Sequence, residues 1–527
     1  VVDRRGAVGV ELLQWPEPTR WADALRASPL VADAEHATLA PLRPLVWDRN
    51  RLYLQRLWFD EVQVADDLWS RADHVAELDP AASDALAAVF GTDPAQDRQH
   101  LAGRRALEGR LAVVVGGPGT GKTRTVARLL AAALVAEPDL QLALCAPTGK
   151  AAARMTDAVQ SAVRQLGDEA TVDASALEVL GRVEASTVHR LLGRRRGGGV
   201  RHDRRSPLPH DLVVVDETSM VDLPLMARLL DALRPETRLV LVGDPDQLAS
   251  VEAGTVLADL VESPAGAASV LAPRVVELTV AHRFGAGSGI AALAEAVRRG
   301  DTDAAIEVLA SGAVDVHWVR PGEGSELDVL RAEVVDAGLE MTSAAREGRV
   351  ADALGAARRL KVLAATRRGP FGLQDWSEQI EAGVADVLPE LRTGRRWEVG
   401  RPFMVTRNDP VARVANGDTG VVADLHGRRV LAIDTGAATP LPVPVARLDQ
   451  VDTWWAMTIH KSQGSEFDHA VVSLPDEDSP VLTRELLYTA VTRAREQVTV
   501  VADEATVRRA IGRPVSRASG LRDRLVR

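Results

Sequence analysis

The run VVVGGPGTGKTRT, ending at Thr125, sets glycines at 116, 117, 119 and 121 ahead of Lys122 and Thr123. It fits G-x-x-x-x-G-K-S/T between an apolar β-rich run and a helical pattern, the context in which this spacing makes a phosphate-binding loop. Glycines let consecutive backbone N–H groups turn toward phosphate oxygens, and the next helix adds the positive end of its dipole. Lys122 supplies a point charge to the β/γ oxygens, and the Thr123 hydroxyl is placed for Mg²⁺. The nucleotide-contacting set expected here is Gly117, Pro118, Gly119, Thr120, Gly121, Lys122, Thr123 and Arg124.

A second chemical group lies in VVVDETSM. Asp216, at the end of an apolar strand, can hold the Mg²⁺ hydration shell from the far side of the phosphates. The adjacent Glu217 can act as general base toward an attacking water, assistance worth ~10²- to 10⁴-fold. Two acids at the end of such a strand are costly if buried unpaired, which argues for a chemical role. In LVLVGDPDQLASVEAG another strand ends at Gly243 and Asp244, and Gln247 is placed to bond the γ-phosphate and sense its loss. Triphosphate hydrolysis is accelerated when an arginine from another lobe reaches the γ-phosphate. Arg283 in LTVAHRFG and Arg493 in LLYTAVTRAREQ are the candidates, each just after an apolar segment.

These residues need a scaffold. From Gln96 to about Val500, β-rich runs such as LAVVVGG, LQLALCAP, DLVVVDE, RLVLVGD, LKVLAAT and HAVVSLP alternate with helical patterns. Such alternation predicts parallel sheets with crossover helices. The expected fold class is α/β: two RecA-like parallel-sheet lobes, a small SH3-like β-barrel insertion and an N-terminal helical domain. The boundaries expected are 1–95 for the helical segment and 96–275 for the first lobe, with an arginine-rich insertion at about 193–210. Residues 276–396 and 451–505 form the second lobe, 397–450 the barrel, and 506–527 a basic tail. At 46% hydrophobic and 26% charged, the 527 residues can bury real cores. Cys145 is the single cysteine, which excludes an internal disulfide and a cysteine-built zinc or iron–sulfur site; in LALCAP it reads as core. No apolar run of about 18 residues and no signal-peptide layout is present, so a soluble, cytoplasmic protein is expected. A net charge of −11 argues against an all-basic surface but leaves room for a local nucleic-acid groove.

Read in order, GGPGTGKT, APTGKAAARM, STVHRLLG, VVVDETSMVD, VGDPDQLASVEAG, LTVAHRF, VTRNDPVARVANGDTG, MTIHKSQGSEFD and LLYTAVTRARE resemble the ordered motifs of superfamily 1 DNA helicases. The fuller wording resembles the RecD subunits of RecBCD (exonuclease V) complexes, over about Gln96 to Arg527. The resemblance implies ATP and Mg²⁺ as cofactors and movement 5′ to 3′ on single-stranded DNA. It also implies work on duplex DNA ends and assembly with RecB-like and RecC-like subunits, with recombinational repair as the setting. It implies that Gln99 reads the adenine edge, that Arg283 and Arg493 are the arginine fingers, and that Glu466 lies near the nucleotide. Thr148, Thr187, His189, Thr458 and His460 would face single-stranded DNA. The arginine cluster at 193–205 matches a hairpin-like insertion near strand separation, but carries glycine and arginine in place of aromatic wedges.

Rival readings are a stand-alone helicase of the same superfamily, a non-motor architectural subunit and a small-molecule kinase. The intact Lys, Asp and Glu oppose the second, and two lobes with paired fingers oppose the third. The short N-terminal segment opposes the first, since self-sufficient relatives carry a longer one. That segment reads as a helical bundle in RLYLQRLWFDEVQVADDLW, with Trp58, Phe59 and Trp69 as candidate docking residues for a RecC-like partner. With no acidic cluster of nuclease type outside the ATP site, nuclease activity is expected in a partner chain.

Overall fold

A computed structural model describes the chain apart from residues 1–8, 12–17, 35–42, 92–96, 169–171, 194, 196–198, 251–252, 263–268, 270, 281–282, 286, 323, 394–395, 410, 426, 435–438, 516, 518 and 527. Arg194, Arg196, Gly197 and Gly198 of the arginine-rich insertion therefore lie outside the described residues.

The N-terminal segment is not a helical bundle. Strands β1 (Gly9–Glu11), β2 (Val31–Asp33), β3 (Leu45–Asp48) and β4 (Arg51–Leu54) form a sheet of order β1-β4-β3-β2 beside α1 (Pro18–Arg26) and α2 (Gln55–Asp73). The β3–β4 hairpin turns on Arg49 and Asn50, both left-handed at φ 47° and 60°, which suits the twist of a two-residue hairpin. The helical periodicity of 51–69 belongs to α2 after the short strand β4, and the strands are too short to show alternation.

Nor does this segment stand apart from the first lobe. Leu57, Val64, Ala65 and Leu68 of α2 share one buried cluster with it. Arg71 donates to the carbonyls of Thr237 (2.6 Å) and Arg234 (3.1 Å), and Arg274 Nε donates to the Ala72 carbonyl at 3.1 Å. Helix α3 (Pro80–Phe90) packs with α4 (Asp97–Glu108) and α5 (Lys122–Ala136) in a second cluster. A cut at residue 95 would pass through shared cores.

The first lobe is a six-stranded parallel sheet. Its strands are β5 (Leu111–Gly116), β6 (Leu142–Ala146), β7 (Ser186–Thr187), β8 (Leu212–Val215), β9 (Arg238–Gly243) and β10 (Val275–Leu278), in the order β10-β5-β9-β8-β6-β7. Strands β5 and β8 are buried along their whole length, as continuous apolar runs covered on both faces should be. Cys145 is fully buried in β6. Because the strands are parallel, the segments after β5, β6, β8, β9 and β10 leave from one edge of the sheet, and the motifs lie on those segments. Helix α6 (Gly149–Asp168) leaves β6 there.

Strands β11 (Val316–Val319) and β12 (Leu360–Ala364) begin the second lobe, and an inserted unit comes next in the chain. The insert comprises β13 (Pro402–Val405), β14 (Thr419–Leu425), β15 (Arg428–Asp434), β16 (Leu441–Pro444) and β17 (Val451–Thr453). They form an antiparallel sheet of order β16-β15-β14-β13-β17 around its own small core. Strands β18 (Ala456–Thr458), β19 (Phe467–Ser473) and β20 (Ala494–Val501) then complete a parallel sheet of order β11-β20-β19-β12-β18.

The basic tail does not project into solvent. Leu521 and Leu525 are buried in the cluster shared by α2 and the first lobe. Arg524 pairs with Asp48 and, at 2.9 Å, with Glu61, which is fully buried and also accepts from Tyr53 Oη (3.2 Å) and the Gly520 N–H (2.9 Å). A Cβ at Gly520 would fall 2.3 Å from Tyr53 Oη, so the tail can thread here only as glycine.

Candidate active site

The turn from β5 into α5 is built on left-handed glycines. Gly119 and Gly121 have φ of 76° and 83°, values open to glycine without strain. Space constrains them as well: a Cβ on Gly119 would sit 2.3 Å from the Arg283 Cβ, and one on Gly117 would sit 3.2 Å from Tyr488 Oη. The loop is therefore covered from the other side by Arg283 and Tyr488. Within it, Lys122 Nζ donates to the carbonyls of Gly116 (2.6 Å) and Gly117 (2.9 Å), and Thr120 Oγ1 donates to the Gly117 carbonyl at 2.9 Å. Thr123 is half-buried in the first turn of α5, next to exposed Arg124, and Pro118 is half-buried in the loop. Gln99 is buried on α4.

At the end of β8 the Glu217 N–H donates to Asp216 Oδ1 at 2.8 Å, and Glu217 is left-handed at φ 50°. Such a conformation costs on the order of 1–3 kcal/mol in a non-glycine residue and concentrates at functional sites. Burial and the neighbouring Glu217 push the Asp216 carboxyl up to about 6, against the opposing charges of Lys122 and Arg154. On the next strand Gln247 Nε2 donates to Asp244 Oδ2 at 2.9 Å, and Tyr488 Oη donates to the same oxygen at 3.1 Å. Burial raises the Asp244 carboxyl, while Lys122 and these hydrogen bonds pull it back.

The two lobes meet across this edge. The Leu248 N–H donates to Thr489 Oγ1 (2.8 Å), and Gln463 Nε2 donates to the Leu248 carbonyl (2.7 Å). Arg493 is buried, with Nε donating to the Thr489 carbonyl (3.1 Å) and Nη1 to the Ser465 carbonyl (3.2 Å). Burial lowers its pKa, and the charges of Glu217 and Glu466 offset this. Glu466 pairs with Arg283 at 2.5 Å, Arg495 at 3.0 Å and Arg154 at 3.3 Å. Burial alone would raise its carboxyl; the arginines around it hold it down at about 2. The Nη1 of Arg283 is buried without a partner among the described residues, a donor free to take an anionic oxygen.

The residues expected to face DNA lie at or after the carboxyl ends of β6 and β7 in the first lobe and of β18 in the second. Thr148, Thr187 and Thr458 each lie at the carboxyl end of a strand or just beyond it, and each accepts a backbone N–H from three residues on: Ala151 (3.2 Å), Arg190 (3.1 Å) and Lys461 (3.4 Å). Each threonine thus caps the turn that starts there. His189 is exposed; His460 is half-buried, and burial with Arg517 nearby lowers its pKa. In the arginine-rich insertion, Arg195 pairs with Asp203 (3.1 Å) and Arg204 with Asp231 (3.1 Å), so part of its charge is balanced within the first lobe.

Three further residues, which the motif spacing alone does not single out, are brought to the cleft by the fold: Arg154, Tyr488 and Arg495. All lie inside the motif stretches APTGKAAARM and LLYTAVTRARE, where other residues carry the signal.

Residues 3–53 match the family model described as RecBCD enzyme subunit RecD, N-terminal domain. Residues 99–253 match an AAA domain, and 453–501 match a UvrD-like helicase C-terminal domain. The chain is 47% identical to the RecBCD enzyme subunit RecD of Mycolicibacterium smegmatis, over 99% of this chain and 90% of that protein. It is 33% identical to the corresponding subunit of Haemophilus influenzae, over 91% and 81%. To the ATP-dependent RecD2 DNA helicase of Deinococcus radiodurans it is 33% identical over 74% of this chain and 46% of that protein. On the strength of this near full-length likeness and the motif order, the chain belongs to the RecD family of RecBCD enzyme subunits.

Proposed function

We propose that the chain is an ATP-driven DNA helicase that moves 5′ to 3′ on single-stranded DNA as the RecD subunit of a RecBCD-type complex acting at duplex ends. The observation that carries this reading is the phosphate loop closed over by residues outside the first sheet: Arg283 against Gly119 and Tyr488 against Gly117. An ATP-dependent motor needs hydrolysis to alter how its lobes meet.

Each role is supported by motif position and by the family resemblance. The loop N–H groups, Lys122 and the start of α5 bind the phosphates. Asp216 and Thr123 offer two oxygen donors, which fits Mg²⁺, an ion that keeps several waters and binds through one or two protein groups plus phosphate. When bound, Mg²⁺ would neutralise charge on the phosphate oxygens. Glu217, aimed by its strained backbone, takes the proton of the attacking water. Gln247 donates to Asp244, the carboxylate that also accepts from Tyr488 of the second lobe, and is placed to sense the γ-phosphate. Arg283 and Arg493 stabilise the charge that develops on the transferred group, and Gln99 reads the base. Thr148, Thr187, His189, Thr458 and His460 contact the strand. RecB-like and RecC-like chains are the partners this family membership supports, and nuclease activity is assigned to them.

Strand displacement on duplexes with one single-stranded tail tests the polarity. A 5′ tail should support ATP- and Mg²⁺-dependent unwinding; unwinding from a 3′ tail alone would overturn the direction.

A further inference from the structure

Segment 459–466 is unusual in where it begins and ends. It leaves β18 at Thr458, which is level with Ala364 and Ser473 at the carboxyl ends of their strands, and it enters β19 at Phe467, the opposite end of the same sheet. The segment therefore spans the depth of the second lobe, from the proposed DNA-facing end to the nucleotide cleft. Three of its last four residues, Gln463, Gly464 and Glu466, interact across that cleft with the first lobe, while Ser465 holds Arg493 within the second. Gln463 donates to the Leu248 carbonyl, the Gly464 carbonyl accepts from Arg154 Nη1 (2.8 Å), the Ser465 carbonyl accepts from Arg493, and Glu466 takes Arg154, Arg283 and Arg495.

Among these partners Arg154 is the one guanidinium rooted in the first lobe's DNA-side helix. It lies on α6, whose first turn is capped by Thr148 and packs so tightly on the β13–β14 loop of the insert that a Cβ at Gly149 would fall 2.6 Å from the Ala415 Cβ. A shift of α6 on binding a strand would therefore move Arg154 relative to Gly464 and Glu466. Glu466 in turn holds the proposed finger Arg283, and its neighbour Ser465 holds Arg493.

We infer that Arg154 is a positioning residue that couples single-stranded DNA on the first lobe to placement of both arginine fingers, through its forked contact with Gly464 and Glu466. This rests on the motor reading and adds the connection between its two sites. Arg154 does not touch the reacting atoms. It sets how the 463–466 turn presents its carbonyls and carboxylate to the two fingers. A fork of two donors suits this task, because it fixes orientation as well as distance.

The test is steady-state ATP hydrolysis by the full chain with and without oligo(dT), for wild type, Arg154→Ala, Arg154→Gln and Arg154→Lys. Arg154→Ala and Arg154→Gln should lower the ratio of DNA-stimulated to DNA-free kcat by at least about fivefold, the lower end of typical coupling between sites. KM for ATP should change little. Arg154→Lys, which keeps the charge but cannot fork, should fall between these and wild type, and it serves alone if the shorter variants do not fold. A ratio that stays at the wild-type value, or two rates that fall in parallel, would overturn the inference and leave Arg154 a structural ion pair. If wild type itself shows no stimulation by oligo(dT), the motor reading fails first, and the two failures are told apart by that control.

Discussion

The roles proposed for Lys122 and Arg493 bear on the same phosphates in different ways. In the proposed site Lys122 meets the β/γ oxygens from within the loop, so Lys122→Gln removes a charge and should lower DNA-stimulated ATP turnover by about 10²-fold or more, the scale of a lost electrostatic stabiliser. Circular dichroism should show the fold intact, and undiminished turnover in a folded variant would place the working site elsewhere. Arg493→Ala should reduce kcat by ~10³-fold or more with little change in KM for ATP, since a finger acts on charge that develops during transfer. The structure adds a cost: Arg493 satisfies the buried carbonyls of Thr489 and Ser465, so its loss should also destabilise by ~1–3 kcal/mol. A variant that loses only ATP affinity would indicate a ground-state contact. The loop, the acids and the proposed fingers are legible in the sequence as candidates because each sits in a contiguous signature with its own chemistry. Arg154, Tyr488 and Arg495 are not, since their roles come from chain segments far away in sequence that the fold brings opposite them.

Among the elements, the C-terminal strap depends most on a few groups. Glu61 has no solvent exposure, and its charge is balanced by Arg524, which also serves Asp48. Removing one partner of a buried pair typically costs ~3–5 kcal/mol, because the other charge stays buried. Arg524→Ala should therefore lower the denaturation midpoint clearly, in urea or by heating, with turnover at low temperature retained. A midpoint equal to wild type would mean that the strap does not hold the N-terminal sheet to the first lobe. Residues 506–527 read as a basic tail because arginine runs look solvent-facing; the acidic partners of Arg522 and Arg524, namely Asp48, Glu61, Asp259 and Glu262, are far away in the chain. The N-terminal strands are hidden in the sequence for a related reason. Strands of three or four residues carry too little alternation to compete with the helical period of the 19-residue α2.

For the whole molecule, the decisive property is that one cleft joins two sheets. The first lobe contributes the phosphate loop, Asp216, Glu217 and Gln247; the second contributes Glu466, Tyr488 and Arg493; and segment 459–466 runs between the cleft and the proposed DNA-facing end. The parallel sheets are readable from buried apolar runs, but the seating of one on the other is not, because it rests on single hydrogen bonds such as Leu248 to Thr489. If the cleft is the engine of a DNA motor, hydrolysis must respond to the strand. The most direct measurement is ATP turnover by the purified full chain with Mg²⁺, in the absence and presence of saturating single-stranded DNA. The account predicts a rise in kcat of about tenfold or more, equivalent to ~1.4 kcal/mol from the barrier. Turnover indifferent to single-stranded DNA would contradict it.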